Sequence, residues 1–164
     1  MANEILLSVV APIIGFITFL IGRWNGIQSY RNKKNNLESS YPRIRGNLSL
    51  CSDMLGMLIQ QARRDDIMDH NSLLRNQIGV FQNSFNSCTD TIRTELEIIR
   101  SMIDRKFFDN LRDVVEGLEH FSNPDSIILG IPDAVNSWVN AAENLRSRIH
   151  EQNSTIEVAL NRLV

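Results

Sequence analysis

The chain has 164 residues, of which 43% are hydrophobic and 22% charged, with 8 Gly, 4 Pro and a formal net charge of −2. This composition excludes a disordered chain, a collagen-like repeat and a disulfide scaffold, and the length suits about one domain with one sizeable core. The charge is unevenly placed: −1 over residues 1–22, +5 over residues 23–45 and −6 over residues 46–164.

The first predicted element is apolar. Residues 5–22 (ILLSVVAPIIGFITFLIG) contain no charge in eighteen positions, and as a helix they would rise about 27 Å, close to the thickness of a hydrocarbon core. A cleaved signal peptide is disfavoured, because the start Met-Ala-Asn-Glu is not basic and Leu20, Ile21 and Gly22 offer no small-x-small cleavage site. A retained transmembrane helix is expected, and Pro12 is compatible with it because neighbouring groups in a membrane re-satisfy the backbone. Only Glu4 precedes the run, whereas Arg23, Arg31, Lys33, Lys34, Arg43 and Arg45 follow it against Glu38. This asymmetry predicts the N-terminus outside and the body in the cytoplasm, at the inner membrane. Trp24 and Tyr30 suit anchoring at the headgroup level, beside the basic side chains of Arg23, Arg31, Lys33 and Lys34.

Within the run, Ser8, Ala11, Gly15, Thr18 and Gly22 follow at spacings of 3, 4, 3 and 4. Small side chains on one helix face allow close backbone approach in lipid, so this stripe predicts pairing or self-association of the membrane helix. The polar stretch from Asn35 to Pro42 (NNLESSYP) reads as a linker or turn. The expected organisation is an anchor over 1–24, a basic juxtamembrane segment and linker over 25–42, and a helical bundle over 43–164.

The body is predicted to be all-α, because its apolar residues recur at helical spacing. A helix from about Arg43 to Arg64 carries Ile44, Leu48, Cys51, Leu55, Leu58 and Ala62. A second, from about Ser72 to Ile103, carries Leu74, Ile78, Phe81, Phe85, Cys88, Ile92, Leu96, Ile99 and Ile103, with a step of 4 after Ile92 where 3 is expected. Such a stutter unwinds the seam locally, and the weak helix formers from Ser87 to Asp90 suggest a break. A third helix from about Asp104 to Phe121 presents Phe107 or Phe108, Leu111, Val115, Leu118 and Phe121. Residues 122–133 (SNPDSIILGIPD) are expected to be a loop, with Ile127 to Ile131 either plugging the end of the bundle, the favoured reading, or meeting a partner or lipid. The last helix, from about Ala134 to Val164, places Val135, Trp138, Ala142, Leu145, Ile149, Gln152, Ile156, Ala159 and Leu163 at steps of 3 and 4. Heptads of this kind predict an antiparallel bundle of three or four long helices, with Gln152 a polar member of the seam.

Candidates for chemistry are sparse. Phosphate-binding glycine loops, Cys-x-x-Cys and His-Glu-x-x-His are absent from the sequence. Cys51 and Cys88 fall on core faces, and His70, His120 and His150 make no metal-ligand spacing with them, so no metal or cofactor is expected. Asn47 and Asn153 begin Asn-x-Ser/Thr triplets that the expected topology keeps from glycosylation. Glu143, Ser147 and His150 lie along one polar flank, where a single straight helix supplies no oxyanion site. Nucleic acid is not an expected partner, because the basic patch is confined to the membrane edge and the body is acidic.

Two Arg-to-His spacings stand out: five residues separate Arg64 from His70 (RDDIMDH), and three separate Arg146 from His150 (RSRIH). The first resembles, in length and in Asp65 after the arginine, the pattern of small helical nucleases with HEPN-type bundles; the second is one residue too short. The resemblance implies an arginine for the phosphate and an imidazole for proton transfer from a 2′-hydroxyl. It covers seven residues, and it places the pair at a helix end rather than near a late helix as in that family.

The function expected from these features is a non-enzymatic single-pass membrane protein whose cytoplasmic bundle homo-oligomerises as a scaffold or pore. Its expected partners are the bilayer, further copies of itself, and a protein bound through the bundle. The resemblance implies an alternative, a membrane-tethered HEPN-like ribonuclease or degenerate relative, in layout similar to the accessory proteins of prokaryotic RNA-targeting immunity. A membrane adaptor for a soluble partner is the third reading.

Overall fold

The computed structural model describes the backbone of residues 2–63, 70–126 and 134–163 and the side chains of residues 16–63, 73–125 and 134–163. Among the described residues there are four α-helices and no strand: α1 (Ala2–Ala62), α2 (His70–Ile99), α3 (Arg105–Ser122) and α4 (Ala134–Asn161), with a single 3-10 turn at Pro124–Ser126. The chain divides into two units, residues 1–36 and residues 37–164.

The first unit is the N-terminal part of α1. Phe16, Ile17, Phe19, Leu20, Ile21, Trp24, Ile27 and Tyr30 are all exposed in it, between 46% and 69% of their possible surface. Among the described residues no helix is long and apolar enough to cross a membrane, and of the run 5–22 only residues 16–22 have described side chains. The expected membrane span therefore finds no support in the described residues.

The second unit is an antiparallel four-helix bundle, and cross-helix contacts give its connectivity. Along α1 and α4 the pairs Arg45–Glu157, Ser49–Asn153, Ser52–Arg146 and Arg63–Glu143 run in opposite senses. Ser40 and Arg43 of α1 meet Glu95 of α2, while Cys51 meets Cys88. Arg93 of α2 pairs with Glu119 of α3, and Arg100 covers the ring of Phe108. Phe121 of α3 meets the Trp138 ring of α4 edge-on, with centroids 5.4 Å apart. Each helix thus lies beside its sequence neighbours and α4 closes against α1, the arrangement that short connections favour in a bundle.

The heptad positions form the core. Ile44, Leu48, Cys51 and Leu55 of α1, Ile78, Phe85, Ile92 and Ile99 of α2, Leu111 and Leu118 of α3, and Ala142, Ile149 and Ile156 of α4 have no exposed surface. Gln152 is buried on the seam as well. Local signals place the helix ends. Asp104 is the N-cap of α3, its carboxylate accepting from the amides of Lys106 at 2.8 Å and Phe107 at 3.3 Å. Asn123 leaves the helix in extended geometry and its side chain accepts the Asp125 amide at 2.9 Å, which turns the chain before Pro124–Ser126.

Two sequence expectations are corrected. Asn35 to Pro42 is helical rather than a linker, and α1 passes through Pro42. A proline inside a helix costs about 3 kcal/mol, but Leu37, Ser40, Tyr41 and Ile44 around it are all buried, and that packing outweighs the lost backbone bond. The second correction is that α2 does not break at Ser87 to Asp90. The hydroxyls of Thr89, Thr91 and Thr94 bond to the carbonyls of Asn86, Ser87 and Asp90, so these weak helix formers are accommodated within the helix.

Candidate functional site

The predicted site residues separate into three groups. Of the membrane stripe, Thr18 and Gly22 are exposed on α1, and a Cβ added at Gly22 or Gly26 would meet nothing within 4 Å. Ser8, Ala11 and Gly15 belong to α1, but their side chains lie outside the described residues. Arg23, Trp24, Tyr30, Arg31 and Lys33 are exposed and Lys34 is half-buried, all on the same unit. The Arg64 and His70 side chains, and Ile127 to Ile131, lie outside the described residues.

Arg146 and His150 form the third group, and the structure brings them together on the face where α4 meets α1. Four polar rungs line this face: Arg45 to Glu157 at 3.0 Å, Asn153 to Ser49 at 3.1 Å, Arg146 to Ser52 at 3.3 Å and Arg63 to Glu143 at 2.6 Å. The α4 members, Glu143, Arg146, Asn153 and Glu157, follow at steps of 3, 7 and 4, one position round the helix from the buried seam of Ala142, Leu145, Gln152 and Ile156. Gly56 shapes the centre. A Cβ there would sit 3.1 Å from Cζ, 3.3 Å from Nη2 and 3.4 Å from Nη1 of Arg146, and these near-equal distances mean that the guanidinium lies flat on the α1 backbone. Ser52, Glu143, Arg146, Ser147 and His150 line an open groove of about 380 Å³.

Electrostatically the groove is graded. Glu143 is neutralised by Arg63, whereas Arg146 has no carboxylate partner among the described residues. His150 is exposed, and its imidazole has no hydrogen-bond partner among them. Among the described residues no side chain orients that ring, and the groove brings an arginine and an imidazole side by side. Among the described residues no cluster of three or more His, Cys, Asp or Glu could hold a metal ion.

One buried polar cluster escaped sequence analysis. Glu95 occupies the heptad position three residues after Ile92, only 5% exposed, so the step of 4 to Leu96 marks a carboxylate on the seam rather than a skipped turn. The fully buried Ser40 donates its hydroxyl to Glu95 Oε2 at 2.7 Å, and Arg43 Nη1 donates to Oε1 at 2.8 Å. Burial pushes the Glu95 carboxyl up, but the Ser40 hydrogen bond and the Arg43 cation outweigh it, so the group ionises below the usual carboxylate range. A second cluster, the neighbouring thiols of Cys51 and Cys88, is pushed the other way: burial raises both above the ordinary cysteine range. Ser52 and Gly56 were also overlooked; their signal is the series of small residues Ser49, Ser52 and Gly56, which gives α4 room to lay long polar side chains on α1.

The chain matches no protein-family model, no curated protein and no solved structure.

Proposed function

We propose that the chain is a non-enzymatic single-pass membrane protein of the inner membrane, N-terminus outside, whose cytoplasmic bundle is brought into a homo-oligomer by the membrane helix. The observation that carries this reading is the uncharged run 5–22 followed at once by Arg23, Trp24, Tyr30, Arg31, Lys33 and Lys34. An aqueous helix exposing Phe16, Ile17, Phe19, Leu20 and Ile21 together would be costly, because each large apolar side chain left in water forgoes about 1.5–3 kcal/mol. A lipid environment removes that cost, and the basic and aromatic side chains beyond it suit the headgroup layer. The stripe Ser8, Ala11, Gly15, Thr18 and Gly22 supports close pairing of identical helices and hence a scaffold or pore.

The test is the protein mass of the full chain in mild detergent, by size exclusion with light scattering that separates protein from detergent. A discrete multiple of 18.7 kDa is expected, and Gly15→Leu should disperse it. A monomer, or an oligomer indifferent to Gly15→Leu, removes the membrane face as the interface. Recovery of the full chain in the aqueous fraction without detergent refutes the membrane reading itself.

A further inference from the structure

The groove between α1 and α4 is built around a cation with unused donors. The Arg146 Nε–H is taken by Ser52, and Gly56 lets the guanidinium lie against the helix backbone. A guanidinium has five N–H donors, so Nη1 and Nη2 retain four that no carboxylate among the described residues takes. An arginine whose plane is set by a glycine and whose Nε is tied to a serine has already lost much of its rotamer freedom. It therefore gives up less entropy on gripping a planar or tetrahedral oxyanion than a free surface arginine does. His150, one turn along α4, and the Ser147 hydroxyl line the same groove and add two more donors. The one acidic lining residue, Glu143, is paired with Arg63.

We propose that this groove binds a phosphomonoester group of a soluble ligand, with Arg146 as the main contact, His150 and Ser147 as further donors, and Ser52 and Gly56 as positioning residues. A volume of about 380 Å³ admits the phosphate and a small attached group. An open groove with one arginine and no second arginine or lysine in its lining suits a single terminal phosphate better than a polyphosphate. This site is independent of the membrane reading, since every residue in it belongs to the bundle.

The experiment is isothermal titration of the full chain, in mild detergent and at constant ionic strength, with inorganic phosphate and with phenyl phosphate. Saturable binding of both is expected, tighter for the ester. Arg146→Gln should weaken it roughly tenfold or more, the usual scale for a charge-assisted contact. Gly56→Ala retains every ligand-contacting side chain and lifts the guanidinium, so it should weaken binding by a smaller factor. Arg148→Gln, an exposed cation outside the groove, should change nothing. Circular dichroism melts of the variants, expected to match the parent, separate loss of binding from loss of fold. Absence of saturable binding by the parent overturns the proposal, as does a parent-like affinity in Arg146→Gln. Sedimentation with vesicles containing phosphatidic acid separates the sources of phosphate: retention that depends on Arg146 without any response to soluble phosphate assigns the groove to a lipid headgroup and overturns the soluble ligand.

Discussion

Replacing Glu95 by Gln tests whether the carboxylate on the core seam is a stabilising feature or merely a tolerated one. The substitution keeps the side chain's size and an oxygen acceptor for Ser40, and removes only the charge. Two losses add. The 2.7 Å bond from the buried Ser40 hydroxyl changes from charge-assisted to neutral, about 1 kcal/mol. The Arg43 pair loses its Coulomb attraction, but the Arg43 side chain is 65% exposed, so solvent screening holds this loss to about 0.2–1 kcal/mol. Glu95→Gln should therefore destabilise the bundle by about 1–2 kcal/mol at neutral pH. Because the folded-state pKa lies below that of the unfolded chain, the native carboxylate contributes fully above the unfolded value of about 4.3. Its contribution fades as pH falls through the lower folded value, and the penalty of Glu95→Gln should fade with it. The double variant Ser40→Ala with Glu95→Leu removes both buried partners and fills the seam, so it should cost less than the sum of the two single changes. Urea unfolding of the full chain in mild detergent, followed by far-ultraviolet circular dichroism, measures each value. A Glu95→Gln variant as stable as the parent at neutral pH, or one whose penalty persists unchanged in acid, refutes the reasoning.

Two glycines in the bundle should respond in opposite directions to the same substitution. Gly46→Ala adds a methyl where nothing lies within 4 Å and should stabilise α1 by up to about 1 kcal/mol through helix propensity. Gly117→Ala places a Cβ 2.9 Å from Cδ1 of the buried Leu145 and should destabilise, because displacing a packed leucine costs about 1–3 kcal/mol against the same propensity gain; denaturation midpoints of the two variants on opposite sides of the parent are the expected result. Cys51 and Cys88 are buried with raised pKa values, so both thiols should resist alkylation at neutral pH until the bundle unfolds. Mass spectrometry after iodoacetamide treatment, with and without urea, checks this, and rapid labelling of either thiol in the folded chain would contradict the packing described.

The helical class and the buried seam follow from local residue spacing. Apolar side chains at steps of 3 and 4 can be buried together only on helices, so Ile44 to Leu58, Leu74 to Ile99, Leu111 to Phe121 and Trp138 to Ile156 were legible as core before any coordinate. The same spacing placed α3 from about Asp104 to Phe121, whereas the bonds by which Asp104 and Asn123 hold its ends are seen only in the structure. Tertiary structure alone decided what depends on residues distant in the chain. Pro42 signals a stop when read locally, yet burial of its neighbours carries α1 through it. Glu95 breaks a hydrophobic pattern until Ser40 and Arg43, more than fifty positions away, supply its hydrogen bonds. In the groove, Arg146 and His150 were visible as a spacing on one helix, but Ser52 and Gly56, which position the arginine, belong to another. Helical periodicity is a property of short sequence, whereas the partner of a buried charge and the seat of a guanidinium are set by which helices the fold places side by side.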